Sequence, residues 1–126
     1  MASEYRRLLD TQSVSGAKSQ EREQIFDAGA YTELNVVFYV LKLGTDSTTA
    51  LDIKLQHAAI NEEEAFTDLK DDAGNAVALD IEATGGSLGN KFFYIRRYLR
   101  YVRWVVTAGG TVTDAAVVGC DIMAKE

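Results

Sequence analysis

Apolar residues recur at every second position in two separate stretches, Leu51-Asp52-Ile53-Lys54-Leu55-Gln56 and Val77-Ala78-Leu79-Asp80-Ile81-Glu82. A period of two puts successive side chains on opposite faces of an extended chain, so each stretch predicts a strand with one buried and one wet face. A third run, Glu33 to Leu43 (ELNVVFYVLKL), is apolar on both faces, the pattern of a strand covered on both sides. Tyr98–Thr107 and Val112–Met123 are rich in β formers and flank Ala108-Gly109-Gly110-Thr111, a glycine-centred turn that predicts a hairpin. Turn clusters at Gly44–Thr49, Asp71–Asn75 and Gly85–Asn90 separate the runs, and the absence of proline leaves Gly, Asn, Asp and Ser to make them. About seven short strands at this spacing predict an all-β fold, a single antiparallel β-sandwich or jelly roll.

A chain of 126 residues is the size of one domain. Its first part reads differently from its body. Residues 1–24 are expected to form an N-terminal strand and a short polar arm or loop (TQSVSGAKSQEREQ, Thr11 to Gln24), and residues 25–126 the sandwich. Two segments carry helical signals. Asn61 with Glu64 has the spacing of a helix cap. In Tyr94–Arg103 the four arginines share one helical face, with Ile95, Tyr98, Leu99 and Val102 on another. The abundance of Tyr, Val and Trp favours strand from Tyr98 onward.

Composition narrows the function classes. A hydrophobic fraction of 47% and a charged fraction of 25% are those of a globular protein. The N-terminus lacks the apolar core of a signal peptide, and the longest apolar runs are far short of the roughly 20 residues of a membrane span. A soluble protein made in the cytoplasm, with no membrane partner, is the expectation. Cys120 is the only cysteine, which excludes an intrachain disulfide and a cysteine-based zinc site. A net charge of -6 argues against free nucleic acid as a partner.

No motif carries recognisable catalysis. Gly85-Gly86-Ser87-Leu88-Gly89-Asn90-Lys91 lacks the spacing of a phosphate-binding loop. His57, the single histidine, continues the apolar face of Leu51, Ile53 and Leu55, and no serine lies in a nucleophile-elbow sequence. The expectation is no enzyme, no cofactor and no metal, with a partly buried His57 at a strand end. The acidic stretch Glu62, Glu63, Glu64, Asp68, Asp71 and Asp72 lacks a calcium-loop pattern and reads as a solvated face. The feature with most functional content is the basic and aromatic run Arg96, Arg97, Tyr98, Arg100, Tyr101, Arg103 and Trp104. It admits three readings. The arginines pair with acids on neighbouring strands, the run is a protein interface, or it contacts single-stranded nucleic acid. The interface is the functional reading retained for these seven residues.

Three segments in order, Ala50–His57 (ALDIKLQH), Ala65–Leu69 (AFTDL) and Arg97–Val102 (RYLRYV) running into Thr107–Thr111 (TAGGT), resemble small head decoration proteins of tailed bacteriophages. The similarity spans roughly Leu34 to Val118, and its motifs describe strands and turns, not chemistry. Asn61 to Glu64 departs from the Gly- or Asp-rich turn of that pattern. The resemblance implies a jelly-roll-like sandwich on the capsid exterior that binds the major capsid protein and forms a homo-oligomer, in particular a trimer. The alternative is a carbohydrate- or receptor-binding β-sandwich module of a phage tail or surface protein.

Overall fold

The computed structural model describes residues 3–45, 50–110 and 112–126. In chain order the strands are β1 (Ser3–Val14), β2 (Lys18–Ser19), β3 (Phe26–Asp27), β4 (Glu33–Lys42), β5 (Leu51–Ala58), β6 (Thr67–Asp68), β7 (Ala78–Asp80), β8 (Gly89–Ile95), β9 (Tyr101–Ala108) and β10 (Ala116–Lys125). Single 3-10 turns at Arg22–Gln24 and Glu63–Ala65 complete the secondary structure, with no α-helix among the described residues.

The pairing is nested. β1 pairs with β10, β2 and β3 with β9, β4 with β8, and β5 with β6 and β7, all antiparallel. The chain is thus one long hairpin, doubled at β5. Rolling it up adds two further pairings, β4 with β10 and β5 with β9. The first sheet then runs β1-β10-β4-β8 and the second β2-β9-β5-β6, with β3 on β9 and β7 on β5. Two short strands on each outer edge of the second sheet act as one broken strand. The result is an eight-position jelly roll, two Greek keys wound into a sandwich.

Residues 3–24 belong to this sandwich rather than standing beside it. β1 is an edge of the first sheet and β2 of the second, and Leu8, Leu9 and Val14 enter the core. Leu8 is an extra residue in β1, between the pairs Arg7–Asp121 and Leu9–Cys120, which lets two consecutive leucines reach the interior. Gln20, almost fully buried, fastens this region to β9. Its amide N–H donates to the Trp104 carbonyl, its side-chain oxygen accepts from the Trp104 N–H, and its Nε2 donates to Leu8 and Gln24 carbonyls.

The core lies between the sheets. Leu34, Val36, Phe38 and Val40 of β4 face Leu51, Ile53 and Leu55 of β5 and Val102, Trp104 and Val106 of β9 across the sandwich. Phe38 meets Phe93 of β8 edge to face, with ring centroids 5.9 Å apart.

Four expectations are corrected. Tyr98–Thr107 and Val112–Met123 do not form a hairpin: β9 and β10 lie in different sheets. Thr111 of that turn, and residues 46–49 of the Gly44–Thr49 cluster, lie outside the described residues. The strand expected from Tyr98 onward is present but begins at Tyr101, as β9; β8 ends at Ile95, and the arginine-rich residues 96–100 cross from the first sheet to the second. Asn61 caps no helix; its Nδ2 donates to the Arg22 carbonyl, and the 3-10 turn starts from Glu62. Finally, β4 alternates strictly between buried and partly exposed residues, so its second apolar face is not covered by another layer. That exposed face positions the site.

Candidate interaction surface

On β4 the outward series is Asn35, Val37, Tyr39 and then Leu41, which is 62% exposed. Its neighbours follow from register. One row across the sheet is Tyr5, Met123, Asn35 and Tyr94; the next is Arg7, Asp121, Val37 and Phe92. Tyr5, Met123, Asn35, Tyr94, Asp121, Val37, Phe92 and Tyr39 line a shallow apolar depression on the outer surface of the first sheet. Among the described residues, five of the eight exposed large hydrophobic side chains belong to this face, and Phe92, at 76% exposed, is the most open of all. Leu88 leads into the same edge strand.

Asp121 is the electrostatic centre of the face. Its side chain is 2% exposed, and it accepts hydrogen bonds from the hydroxyls of Tyr5 and Tyr39 (the latter at 2.6 Å) and from Arg7 Nε at 3.0 Å. Burial alone would raise its pKa; the bonds from Tyr39, Tyr5 and Arg7 outweigh that and hold the carboxyl below its usual value. The Tyr39 hydroxyl is in turn pushed up to about 12, chiefly by its bond to Asp121. At the edge strand, the Tyr94 hydroxyl donates to Glu33. Both exposed tyrosines therefore turn their hydroxyls to partners in their own chain and offer ring surface outward.

The opposite outer face differs in kind. On the second sheet Asp52, Lys54 and Gln56 of β5 lie beside Asp80, Asp68, Arg103 and Thr107, a charged and polar surface. Lys54 pairs with Asp68 at 2.9 Å. Arg103 is nearly buried, lies over the Phe66 ring with its guanidinium 4.1 Å from the centroid, and bonds Gln56 and Glu63.

The arginine and aromatic run is divided by this architecture. Arg96 holds Asp72 through Nε at 2.9 Å, and Arg100 grips both carboxylate oxygens of Asp27 at 3.0 and 2.9 Å. Arg97 is exposed, while Tyr98 and Tyr101 are half-buried. Trp104 points into the core, 5% exposed. The seven residues thus share no single face, and three of the four arginines have intrachain acidic partners. Sequence reasoning passed over Tyr5, Val37, Tyr39, Phe92, Asp121 and Met123. The signal was present in the doubly apolar run of β4 and in Asp121, a lone charge inside the apolar stretch Ala115–Ala124.

The remaining titratable groups are dispersed. The acidic stretch separates into Glu62 with Arg22, Glu63 with Arg103, Asp68 with Lys54, and Asp72 with Arg96, while Asp71 accepts from backbone N–H groups of its own turn. His57 Nδ1 accepts from the Leu99 N–H at 3.0 Å, and burial lowers its pKa, so the ring is neutral at pH 7. The Gly85–Lys91 loop owes its glycines to backbone geometry. Gly85 and Gly89 have φ of 97° and 107°, and a Cβ on Gly86 would lie 2.5 Å from the Glu82 carbonyl oxygen.

Carboxylates converge at another place, where oxygens of Asp52, Asp80 and Glu82 lie within 4.8 Å of one another. Asp52 sits directly opposite Asp80 across β5 and β7. Burial, then its hydrogen bond with Asp80, pushes the Asp52 carboxyl up to about 6. A carboxyl whose folded pKa exceeds its unfolded value binds more protons in the folded state, so its contribution to stability is present below about pH 4 and is lost as pH rises through about 6. Asp52→Asn is expected to raise the melting temperature at pH 7 and to remove that decline. Melting curves of both proteins from pH 4 to 8 test it; parallel profiles would refute the assignment.

No protein-family model matches the chain, and no curated protein matches it. Among solved structures it is similar to a chain of the disulfide-linked pili that form Bacillus endospore appendages, at 12% identity and a TM-score of 0.47, covering 98% of this chain and 87% of that one. It is also similar to a chain of infectious bursal disease virus, Gx strain, at 12% identity and a TM-score of 0.37, covering 98% of this chain and 31% of that one. The present chain therefore spans about a third of the viral one. Likenesses this distant carry no argument about function.

Proposed function

We propose that this protein is a non-enzymatic structural component of a virion, one that binds the major capsid protein on the exterior of a phage head and reinforces it as a homo-oligomer. The observation that supports this reading is the contrast between the two outer faces. One is charged and polar; the other presents aromatic and aliphatic side chains to solvent in a contiguous patch, a mark of protein–protein contact. The one imidazole, His57, holds a backbone amide. The jelly roll agrees with what the decoration-protein resemblance implies about fold. The carbohydrate- or receptor-binding alternative would draw on the polar depression of the second sheet, lined by Asp52, Lys54, Asp68, Asp80 and Thr107; the exposed apolar face of the first sheet favours a protein partner.

The test uses the gene neighbourhood and then the protein. Portal, protease and major capsid genes beside this one are expected. Purified protein is then expected to co-sediment with capsids assembled from that neighbouring capsid gene. Arg100→Glu, which replaces the exposed Arg100–Asp27 pair by two facing carboxylates, tests the arginine run in the same assay: weakened capsid binding with an unchanged melting temperature would assign it to the interface. Absence of co-sedimentation by the wild type would overturn the proposal.

A further inference from the structure

We propose that the outer face of the first sheet is a self-association surface on which a second copy of this chain docks across a two-fold axis. The inference rests on the homo-oligomer of the proposed function: it assigns this face to the contact between copies, as a two-fold dimer where the resemblance implies a trimer, and leaves capsid binding to another surface.

Size is the first argument. With whole aromatic side chains presenting roughly 200 Å² each, the exposed parts of Tyr5, Leu41, Phe92, Tyr94 and Met123 come to roughly 500 Å². That is the upper part of the range for the largest apolar patch of a monomer, about 300–600 Å². It is also more than half of the roughly 800 Å² that each partner contributes to a stable interface, the rest being polar rim.

Charge is the second. The chain carries a net charge of -6, and salt screens that repulsion beyond about 10 Å, so two copies meet at least cost where charge is locally balanced. This face meets that condition, because its buried carboxylate, Asp121, is matched by Arg7. The Tyr5, Tyr39 and Tyr94 hydroxyls are already bonded within the chain, so covering them leaves no new unpaired donor. A surface satisfied in this way selects neither an acidic nor a basic partner; it fits another apolar face.

The third argument fixes the symmetry. A head-to-tail contact needs a second, different apolar surface on the same molecule. Among the described residues, the exposed large hydrophobics away from this face and its Leu88 rim are Ile60 and Leu99, in the connections where β5 ends and β9 begins. Two such residues cannot cover five. The face therefore meets its own copy, which makes the contact isologous. Phe92 stands on the edge strand β8, whose outer backbone edge has no neighbour in the sheet among the described residues.

Sedimentation velocity of the purified full chain over the micromolar range tests this in the absence of any capsid. A dimer is expected. Phe92→Asp is expected to raise the dissociation constant at least about tenfold, the effect of removing one hot-spot residue. Because Phe92 is exposed, the variant is expected to melt like the wild type; Met123→Glu is the second variant should it not. Leu99→Asp, at the other exposed site, is expected to leave the mass unchanged. A trimeric mass, a monomeric wild type, or a dimer as sensitive to Leu99→Asp as to Phe92→Asp would overturn the inference. A monomer that nevertheless binds capsids would leave the capsid reading standing, whereas a dimer indifferent to capsids would do the reverse.

Discussion

Trp104→Ala is expected to lower the free energy of unfolding by about 3–5 kcal/mol, which in a domain of this size lowers the melting temperature by on the order of 10–20 °C. The indole lies opposite Leu55 in register and is 5% exposed, so truncation removes a large buried surface and leaves a cavity that the two sheets cannot close without shifting. The backbone around it is doubly held. Gln20 bonds both the N–H and the carbonyl of Trp104 at 3.2 Å, which keeps β9 in place while the side chain is lost. Circular dichroism melts of wild type and variant decide the matter. A variant that melts within two or three degrees of the wild type would place the indole outside the core, and would return Trp104 to the interface expected from the arginine and aromatic run.

Asp121→Ala is expected to cost about 2–4 kcal/mol, because one substitution removes the acceptor of two hydroxyls and a guanidinium. Tyr39 and Tyr5 lose their partner beneath a sheet face, and Arg7, itself half exposed, recovers part of its loss from water. Two pH signatures separate this from a packing defect. The Asp121 carboxyl has a folded pKa below the unfolded one, so its stabilisation is present above about pH 4 and is lost as pH falls through the folded value. Asp121→Asn, which keeps the shape and loses the charge, is expected to flatten that acid limb. On the alkaline side, Tyr39 is expected to ionise below its value of about 12 once the carboxylate is gone, while burial still holds it above the ordinary tyrosine value. Tyrosinate absorbance follows that shift directly. An unchanged alkaline titration in Asp121→Ala would mean that the hydroxyl is held by something other than Asp121.

The acid limb of Asp121 and the opposite slope of Asp52 belong to the same chain, and only their surroundings differ. Both are aspartates on strands, flanked by apolar residues in sequence. Asp121 meets an arginine and two hydroxyls across β1 and β4, whereas Asp52 meets Asp80 across β7. Neither environment is local in sequence, which is why neither carboxylate drew notice there.

Legibility followed the same line. The alternation in Leu51–Gln56 and Val77–Glu82 named which residues face the core, and Leu51, Ile53, Leu55, Val77 and Ile81 are all fully buried. The β class and the partly buried His57 at a strand end were likewise readable, because side-chain alternation and backbone sterics act over a few residues. The apolar character of both faces of Glu33–Leu43 was readable too, and it marks the site. Its meaning was not: a strand apolar on both faces is covered on both sides in one fold and exposed to a partner in another.

What the sequence by itself determined is the set of extended segments and the inward face of each. Pairing was decided by tertiary structure alone. Tyr98–Thr107 and Val112–Met123 have the local signature of a hairpin, yet β9 finds β2, β3 and β5 while β10 finds β1 and β4. The hairpin would satisfy the same backbone donors and acceptors at lower loop-closure cost. Only the rolled arrangement also buries the inward faces of all the long strands in a single core. That gain is summed over the whole chain, so no window of sequence displays it.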